Sequence, residues 1–173
     1  MDGNNKNLTV LFPGKGYTAY GPLLYYANGK YGRKGYETKT IGYGSYEDFD
    51  GITNFVLTQA KEVDFSAYDD ILFVSKSLGT VVAGWLVETL GVNVRQILLT
   101  PVDYSLPYMK NGKNIEIVIA GTNDPFMDAG KLAEHCKQEQ IRLELIEGAD
   151  HSLEIPGEVN ENIDLLKRIV ALY

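Results

Sequence analysis

The chain has 173 residues, of which 45% are hydrophobic, and this is enough for one compact domain with its own core. Its formal net charge is -7 at pH 7, which argues against nucleic acid or an anionic membrane as a partner, because both favour basic proteins. We therefore expect a single domain over residues 1–173 that acts on a small-molecule substrate.

The only cysteine is Cys136, and one thiol cannot form a disulfide within the chain. The chain starts with polar residues, and no long apolar run follows them. Together these features predict a cytoplasmic protein. We expect neither a metal ion nor a cofactor.

Apolar runs and helical patterns alternate along the first half of the chain. Residues 8–12 predict a strand that stops at a glycine-rich loop, and Pro22 is suited to the first turn of a helix. Residues 36–43 predict a second strand, near a sheet edge because it carries more polar residues. Helical spacing follows over residues 52–63.

The second half of the chain continues this alternation. Further strands are predicted at residues 94–100, 115–120 and 142–146, and helices at residues 129–136 and 163–173. With the strand described next, six strands alternate with helices. This pattern predicts a three-layer α/β sandwich, with a mainly parallel six-stranded sheet and helices on both faces. Ligands of such sheets bind at the carboxyl ends of the strands.

The central corner of the chain carries a candidate nucleophile. A buried strand over residues 71–74 leads through the sequence Ser-Lys-Ser-Leu-Gly into an apolar helix. Small residues two before and two after Ser77 allow this serine to sit on a sharp, strained turn. Ser75 is the poorer candidate, because the residue two before it is Phe73.

Two later loops carry the partners that a nucleophilic serine needs. Asp124 and His151 each follow the carboxyl end of an apolar strand. A serine hydroxyl is a weak nucleophile until an imidazole takes its proton, and a carboxylate orients that imidazole. Asp103, just past the preceding strand, is the alternative acid.

An attacked carbonyl also needs donors for its developing negative charge. The backbone N–H of Leu78 lies at a helix start and is suited to this task. The loop over residues 13–17 is expected to supply the other donor, first from Lys15 and next from Gly16.

Three motifs in this order carry a family resemblance. They are the elbow around Ser77, the Gly-x-x-Asp-Pro-Phe sequence around Asp124 and the Gly-Ala-Asp-His sequence that ends at His151. Together they resemble the α/β-hydrolases, in particular small lidless bacterial serine hydrolases. The resemblance implies the strand order 2-1-3-4-5-6 and hydrolysis of small esters or thioesters by a Ser77-His151-Asp124 triad.

The chain departs from the family pattern in two motifs, and it has no room for the lid of larger members. Ser75 replaces the usual first glycine of the elbow, and the oxyanion loop reads Pro-Gly-Lys-Gly where many members have His-Gly. Residues 101–112 are too few for the lid domain that larger members insert there. We therefore expect an open site in which a long acyl chain finds little surface to pack against.

Other residues in the site loops are candidates for substrate binding. Lys15 and Lys76 could recognise an anionic substrate, although exposed lysines are more often only solvated. The aromatic side chains of these loops could line a pocket for an aromatic or sugar-like group. The predicted substrate-binding residues are Gly14, Gly16, Tyr17, Tyr104 and Phe126, and Tyr43 and Tyr108 lie in the same loops.

Two other functions are compatible with this pattern. A ligand-binding or regulatory protein could use the same scaffold without catalysis, because a fold does not guarantee an activity. A flavodoxin-like nucleotide or flavin binder shares this type of sheet. However, the loop after the first strand lacks the spacing of a phosphate-binding loop, and no dinucleotide fingerprint follows it.

Overall fold

The computed structural model describes residues 6–173, and the start of the polar tail, residues 1–5, lies outside the described residues. Strands and helices alternate along the chain. They are β1 (Asn7–Phe12), α1 (Pro22–Gly32), β2 (Tyr36–Thr40), α2 (Phe49–Lys61), β3 (Asp70–Lys76), α3 (Leu78–Leu90), β4 (Arg95–Leu99), β5 (Ile115–Gly121), α4 (Ala129–Gln138), β6 (Leu143–Ile146) and α5 (Val159–Leu172). Two short 3₁₀ helices lie at Phe65–Ala67 and Asp103–Tyr108.

All six strands form one parallel sheet in the order β2-β1-β3-β4-β5-β6, which confirms the predicted order. β1 and β3 are neighbours, with Asn7 opposite Asp70 and Phe12 opposite Ser75. Consequently, the loop after β1 and the turn after β3 leave the sheet side by side.

The helices cover both faces of the sheet, as predicted. Successive β1 side chains point to opposite faces, so that Leu11 packs with α1 and α5 whereas Val10 packs with α2 and α3. α4 covers the far end of the second face through Leu132. α3 lies especially close to the sheet, because a Cβ on Gly79 would overlap the carbonyl oxygen of Phe12.

Several element bounds differ from the prediction by up to four residues, and two of these differences have a clear cause. β2 ends at Thr40 rather than at residue 43, because only the amide of Ile41 continues the pairing, by donating to Leu11 O at 2.9 Å. α5 begins at Val159, four residues before the predicted start. Its first turn is exposed, so no apolar stripe marks it in the sequence.

No helix within residues 6–173 combines the length and the apolar character that a membrane span requires.

Candidate active site

Ser77 lies on the turn between β3 and α3 in a conformation that is rare for a residue with a side chain. Its φ is 55° and its ψ is -121°. The surrounding backbone holds this conformation, because the Ser77 amide donates to Leu99 O at 3.0 Å and the Thr80 amide donates to Ser77 O at 2.9 Å. The turn directs the hydroxyl away from the sheet, towards the loop that follows β6.

His151 lies between Ser77 and Asp124. Its Nε2 atom is 2.8 Å from Ser77 Oγ, and its Nδ1 atom is 2.7 Å from Asp124 Oδ2. The Asp124 side chain is fully buried, and its Oδ1 atom accepts a hydrogen bond from the amide of Phe126 at 2.9 Å. Because the carboxylate can only accept, Nδ1 of the imidazole is the donor, and Nε2 is left to accept the Ser77 proton.

The residues that could have replaced a member of this triad are not part of the hydrogen-bonded chain. Asp103 is exposed and pairs with Lys131, with 3.1 Å between its Oδ2 and the lysine Nζ. Ser75 is buried, and its hydroxyl donates to Ile97 O at 3.3 Å. The second histidine of the chain, His135, lies in α4, and its Nε2 is hydrogen-bonded to the backbone oxygen of Met109 at 2.7 Å.

The loop after β1 reaches the candidate nucleophile. A Cβ on Gly14 would lie 3.0 Å from Ser77 Cβ, so the backbone of this loop passes directly over the serine. Lys15 is exposed, and Gly16 has a φ of 75°, a conformation that favours glycine. Leu78 is the first residue of α3, where a backbone amide has no partner within the helix.

The comparisons with known proteins bear on the fold. No protein-family model and no curated protein matches the sequence. An α/β serine hydrolase homologue from Coxiella burnetii is 15% identical, with a TM-score of 0.69 over 96% of this chain and 84% of its own. A lidless α/β serine hydrolase from Xanthomonas campestris is 15% identical, with a TM-score of 0.69 over 99% and 83%.

A third solved structure is Est1E from Butyrivibrio proteoclasticus with ferulic acid bound. It is 12% identical, with a TM-score of 0.68 over 98% of this chain and 89% of its own. The chain has the α/β-hydrolase fold. Identities of this size show the fold alone, and the chemistry of this chain depends on its own residues.

Lys76, next to the candidate nucleophile, is neither solvated nor available to an anionic substrate. Only 2% of it is exposed, and its Nζ donates to His151 O at 2.9 Å. The ammonium group also lies 4.9 Å from the ring centre of Tyr17. Burial lowers the pKa of Lys76 to about 8, and the charges of Asp124 and Asp150 oppose this effect. Lys76 therefore ties the end of β3 to the loop that carries His151.

The aromatic residues that were predicted to line a substrate pocket lie in different environments. Tyr17 is turned away from Ser77, because its hydroxyl accepts from the Leu23 amide at 2.9 Å. The exposed ring of Phe126 lies against the His151 imidazole, with 4.7 Å between the ring centres. Tyr104 lines a pocket beside Ser77, as does Tyr108, whereas Tyr43 lines a second pocket.

Two pockets adjoin the elbow of this α/β-hydrolase fold. The first has a volume of about 480 Å³ and the second of about 510 Å³. The first is lined by Phe49, Ser77, Leu78, Val81, Val102, Tyr104, Pro107 and Tyr108. The second is lined by Gly14, Lys15, Gly16, Tyr43, Gly44, Ser45, Tyr46, Glu47, Phe49, Ile52 and Leu78. Phe49, Val81 and Val102 could not be predicted as pocket residues, because no local sequence signal marks a helix residue or a valine as part of a pocket.

We expected an open site with little surface for a long acyl chain, and the structure has an apolar pocket beside Ser77. The segment after β4 is too short for a lid, but its 3₁₀ helix, Asp103–Tyr108, packs on α3 and forms one wall. A Cβ on Gly84 would overlap Tyr108 Cβ, so this glycine permits close contact between α3 and the wall. Among residues 6–173, no three His, Cys, Asp or Glu side chains are grouped as a metal site requires.

Proposed function

We propose that this protein is a serine hydrolase that cleaves small esters or thioesters. The observation that carries the proposal is the continuous hydrogen-bonded chain from Asp124 through His151 to the hydroxyl of Ser77, which lies on a strained turn at a helix start. This arrangement of acid, base and nucleophile activates a serine for attack on a carbonyl carbon. The proposal is supported by analogy, because a serine hydrolase homologue from Coxiella burnetii and a serine hydrolase from Xanthomonas campestris have the same fold.

Acylation is the first half of the proposed reaction. Ser77 Oγ attacks the carbonyl carbon of the substrate while His151 Nε2 takes the hydroxyl proton. The backbone amides of Leu78 and Lys15 stabilise the negative oxygen of the tetrahedral intermediate. When this intermediate collapses, the bond to the leaving group breaks, and the alcohol or thiol departs with the proton that His151 carried.

Deacylation repeats these steps with water as the nucleophile. His151 removes a proton from the water as its oxygen attacks the acyl carbon, and the bond to Ser77 Oγ then breaks. The serine recovers its proton from His151, and the carboxylic acid leaves. In both halves Asp124 holds Nδ1 of the imidazole and stabilises its charged form.

Hydrolysis of activated esters by two matched serine variants tests the proposal. Ser77→Ala removes the nucleophile and is expected to lower kcat on the order of a millionfold. Ser75→Ala removes a hydroxyl that bonds only to the backbone of Ile97, so we expect it to retain most of the activity. A Ser77→Ala protein that hydrolyses these esters at the native rate contradicts the proposal. A folded native protein that hydrolyses none of them favours the ligand-binding alternative.

A further inference from the structure

We propose that the apolar pocket beside Ser77 binds the acyl group, and that the substrates are esters or thioesters of apolar acids larger than acetate. This inference rests on the proposed function and names the substrate class of that same site. The apolar pocket is the first of the two described above, and the other is called the polar pocket below.

The position of the apolar pocket assigns it to the acyl side of the substrate. In the acyl-enzyme, the acyl carbon is bonded covalently to Ser77 Oγ, so the acyl group has to lie in space that Ser77 itself borders. Ser77 lines the apolar pocket and does not line the polar pocket, which begins beyond Leu78. A volume of about 480 Å³ is far more than an acetyl group needs and lies within the usual range for small-molecule sites.

The apolar and the polar pocket also differ in the chemistry of the residues that line them. The apolar pocket is walled by aliphatic and aromatic side chains, among them Val81 and Val102. The polar pocket includes the charged residues Lys15 and Glu47 and the hydroxyl of Ser45. An apolar chain in the polar pocket would strip water from these groups without replacing their hydrogen bonds, which is costly. An alkyl or aryl acyl group is therefore stabilised more in the apolar pocket than in the polar pocket.

The wall of the apolar pocket is held in place before substrate binds. Thr80 Oγ1 and Ser105 Oγ are 2.8 Å apart and join α3 to the 3₁₀ helix. Ser105 Oγ also accepts from the Val102 amide at 3.0 Å, which fixes the start of this helix. Because these hydrogen bonds are made within the protein, they preorganise the wall, and binding does not have to order it.

Phe49 divides the two pockets and sets the limit on acyl length. It is the first residue of α2 and lines both pockets, as Leu78 does. Its ring packs edge-on against Trp85 of α3, with 6.4 Å between the ring centres. A side chain in this position blocks an acyl chain from continuing into the polar pocket.

A series of 4-nitrophenyl esters from acetate to decanoate tests the inference, because the leaving group stays constant. Each added methylene that enters an apolar pocket should raise kcat/KM about threefold, which amounts to roughly a hundredfold from acetate to hexanoate. Val102→Phe fills the pocket and should bring the hexanoate-to-acetate ratio close to one. Val159→Phe makes the same change at an exposed site on α5 and should keep the native ratio.

Phe49→Ala provides an independent variant with the opposite effect. The ring is 39% exposed, so its removal should not prevent folding. The space that the ring vacates extends the apolar pocket, so octanoate and decanoate esters should gain at least tenfold in kcat/KM relative to hexanoate. If Phe49→Ala leaves the length at which kcat/KM stops rising unchanged, Phe49 does not set the limit.

The outcomes separate this inference from the proposed function. If acetate is hydrolysed as well as hexanoate, or if Val102→Phe keeps the native ratio, the acyl assignment is wrong although the enzyme is a serine hydrolase. If no ester is hydrolysed and a fluorophosphonate leaves Ser77 unmodified, the proposed function fails and the substrate assignment fails with it.

Discussion

At the scale of single residues, the two candidate acids differ in their surroundings and not in their type. Asp124 is buried, and its two carboxylate oxygens accept from the His151 ring and from the Phe126 amide. Asp103 is exposed, and its carboxylate faces Lys131. A carboxylate that orients an imidazole has to be close to it and shielded from water, and only Asp124 meets both conditions.

Conversion of each acid to its amide tests this difference. Asp124→Asn keeps the shape of the side chain but allows the wrong tautomer of His151, so kcat should fall by about 10⁴, as in other serine triads. Asp103→Asn is the matched control and should change kcat less than twofold. Steady-state ester hydrolysis measures both variants, and equal effects of the two changes would contradict the assignment of the acid.

The protonation of the buried Lys76 side chain should affect the stability of the protein. The folded protein releases the Lys76 proton near pH 8, because burial disfavours the charged form, whereas a lysine in the unfolded chain releases its proton near pH 10.4. Between these values the unfolded chain binds more protons, so the free energy of unfolding should rise with pH. Across the whole interval this contribution is on the order of 3 kcal/mol.

Denaturation of the native protein and of Lys76→Met at several pH values measures this contribution. Met removes the amine but keeps a side chain of similar length. The pH-dependent contributions of the other titrating groups cancel when the free energies of unfolding of the two proteins are subtracted. We expect the native protein to gain stability relative to Lys76→Met from pH 8 to pH 10. Parallel pH profiles would show that Lys76 is not held in a depressed protonation state.

At the scale of elements, the close approach of α3 to β1 determines where the nucleophile lies. Gly79 is in the first turn of α3, and a Cβ there would overlap the backbone oxygens of Phe12 and Pro13. Backbone atoms cannot rotate away as a side chain can, so an added methyl group has to push the helix outwards. This movement would displace Ser77, which immediately precedes the helix.

Alanine substitutions at two glycines test this placement. Gly79→Ala should destabilise the protein by about 1–3 kcal/mol through overpacking and should lower kcat as the helix shifts. Gly32→Ala, in the last turn of α1, meets no atom within 4 Å and should leave stability unchanged or raise it by up to about 1 kcal/mol. Thermal unfolding and ester hydrolysis measure both effects, and a Gly79→Ala protein as stable and active as the native one would contradict the argument.

Whether an element could be predicted depended on how local its determinants are. The parallel sheet and its order followed from apolar runs and from motifs that each lie within a few residues of Ser77, Asp124 or His151. The first turn of α5 was missed, because an exposed turn has no apolar periodicity. The end of β2 was misjudged, because alternation continues through residues that leave the sheet.

The details of the site depend on residues that are distant in sequence. Lys76 is buried because the carbonyl of His151, 75 positions later, accepts its hydrogen bond, and no local pattern indicates this contact. The apolar pocket combines Phe49 from α2 with Val102 from the segment after β4. Such a pocket exists only when α2, α3 and the segment after β4 pack together, so the sequence indicates some of its aromatic residues but not the pocket itself.

At the scale of the whole molecule, the two ends of the sheet have different roles. The carboxyl ends carry the candidate triad and both pockets. The amino ends carry a network in which Arg95 pairs with Asp70 at 2.6 Å and with Glu116 at 2.7 Å, across β3, β4 and β5. The hydrogen bonds from Arg95 hold the pKa of Asp70 below its usual range. This ion-pair network therefore lies at the end of the sheet opposite the candidate triad.

The central claim is that Ser77 is a nucleophile activated by His151, and labelling with a fluorophosphonate probe tests it without knowledge of the substrate. Intact mass and peptide mapping identify the modified residue. We predict one adduct per chain, on Ser77, formed far more slowly in His151→Ala. A folded native protein that forms no adduct, or a His151→Ala protein labelled at the native rate, would contradict the claim.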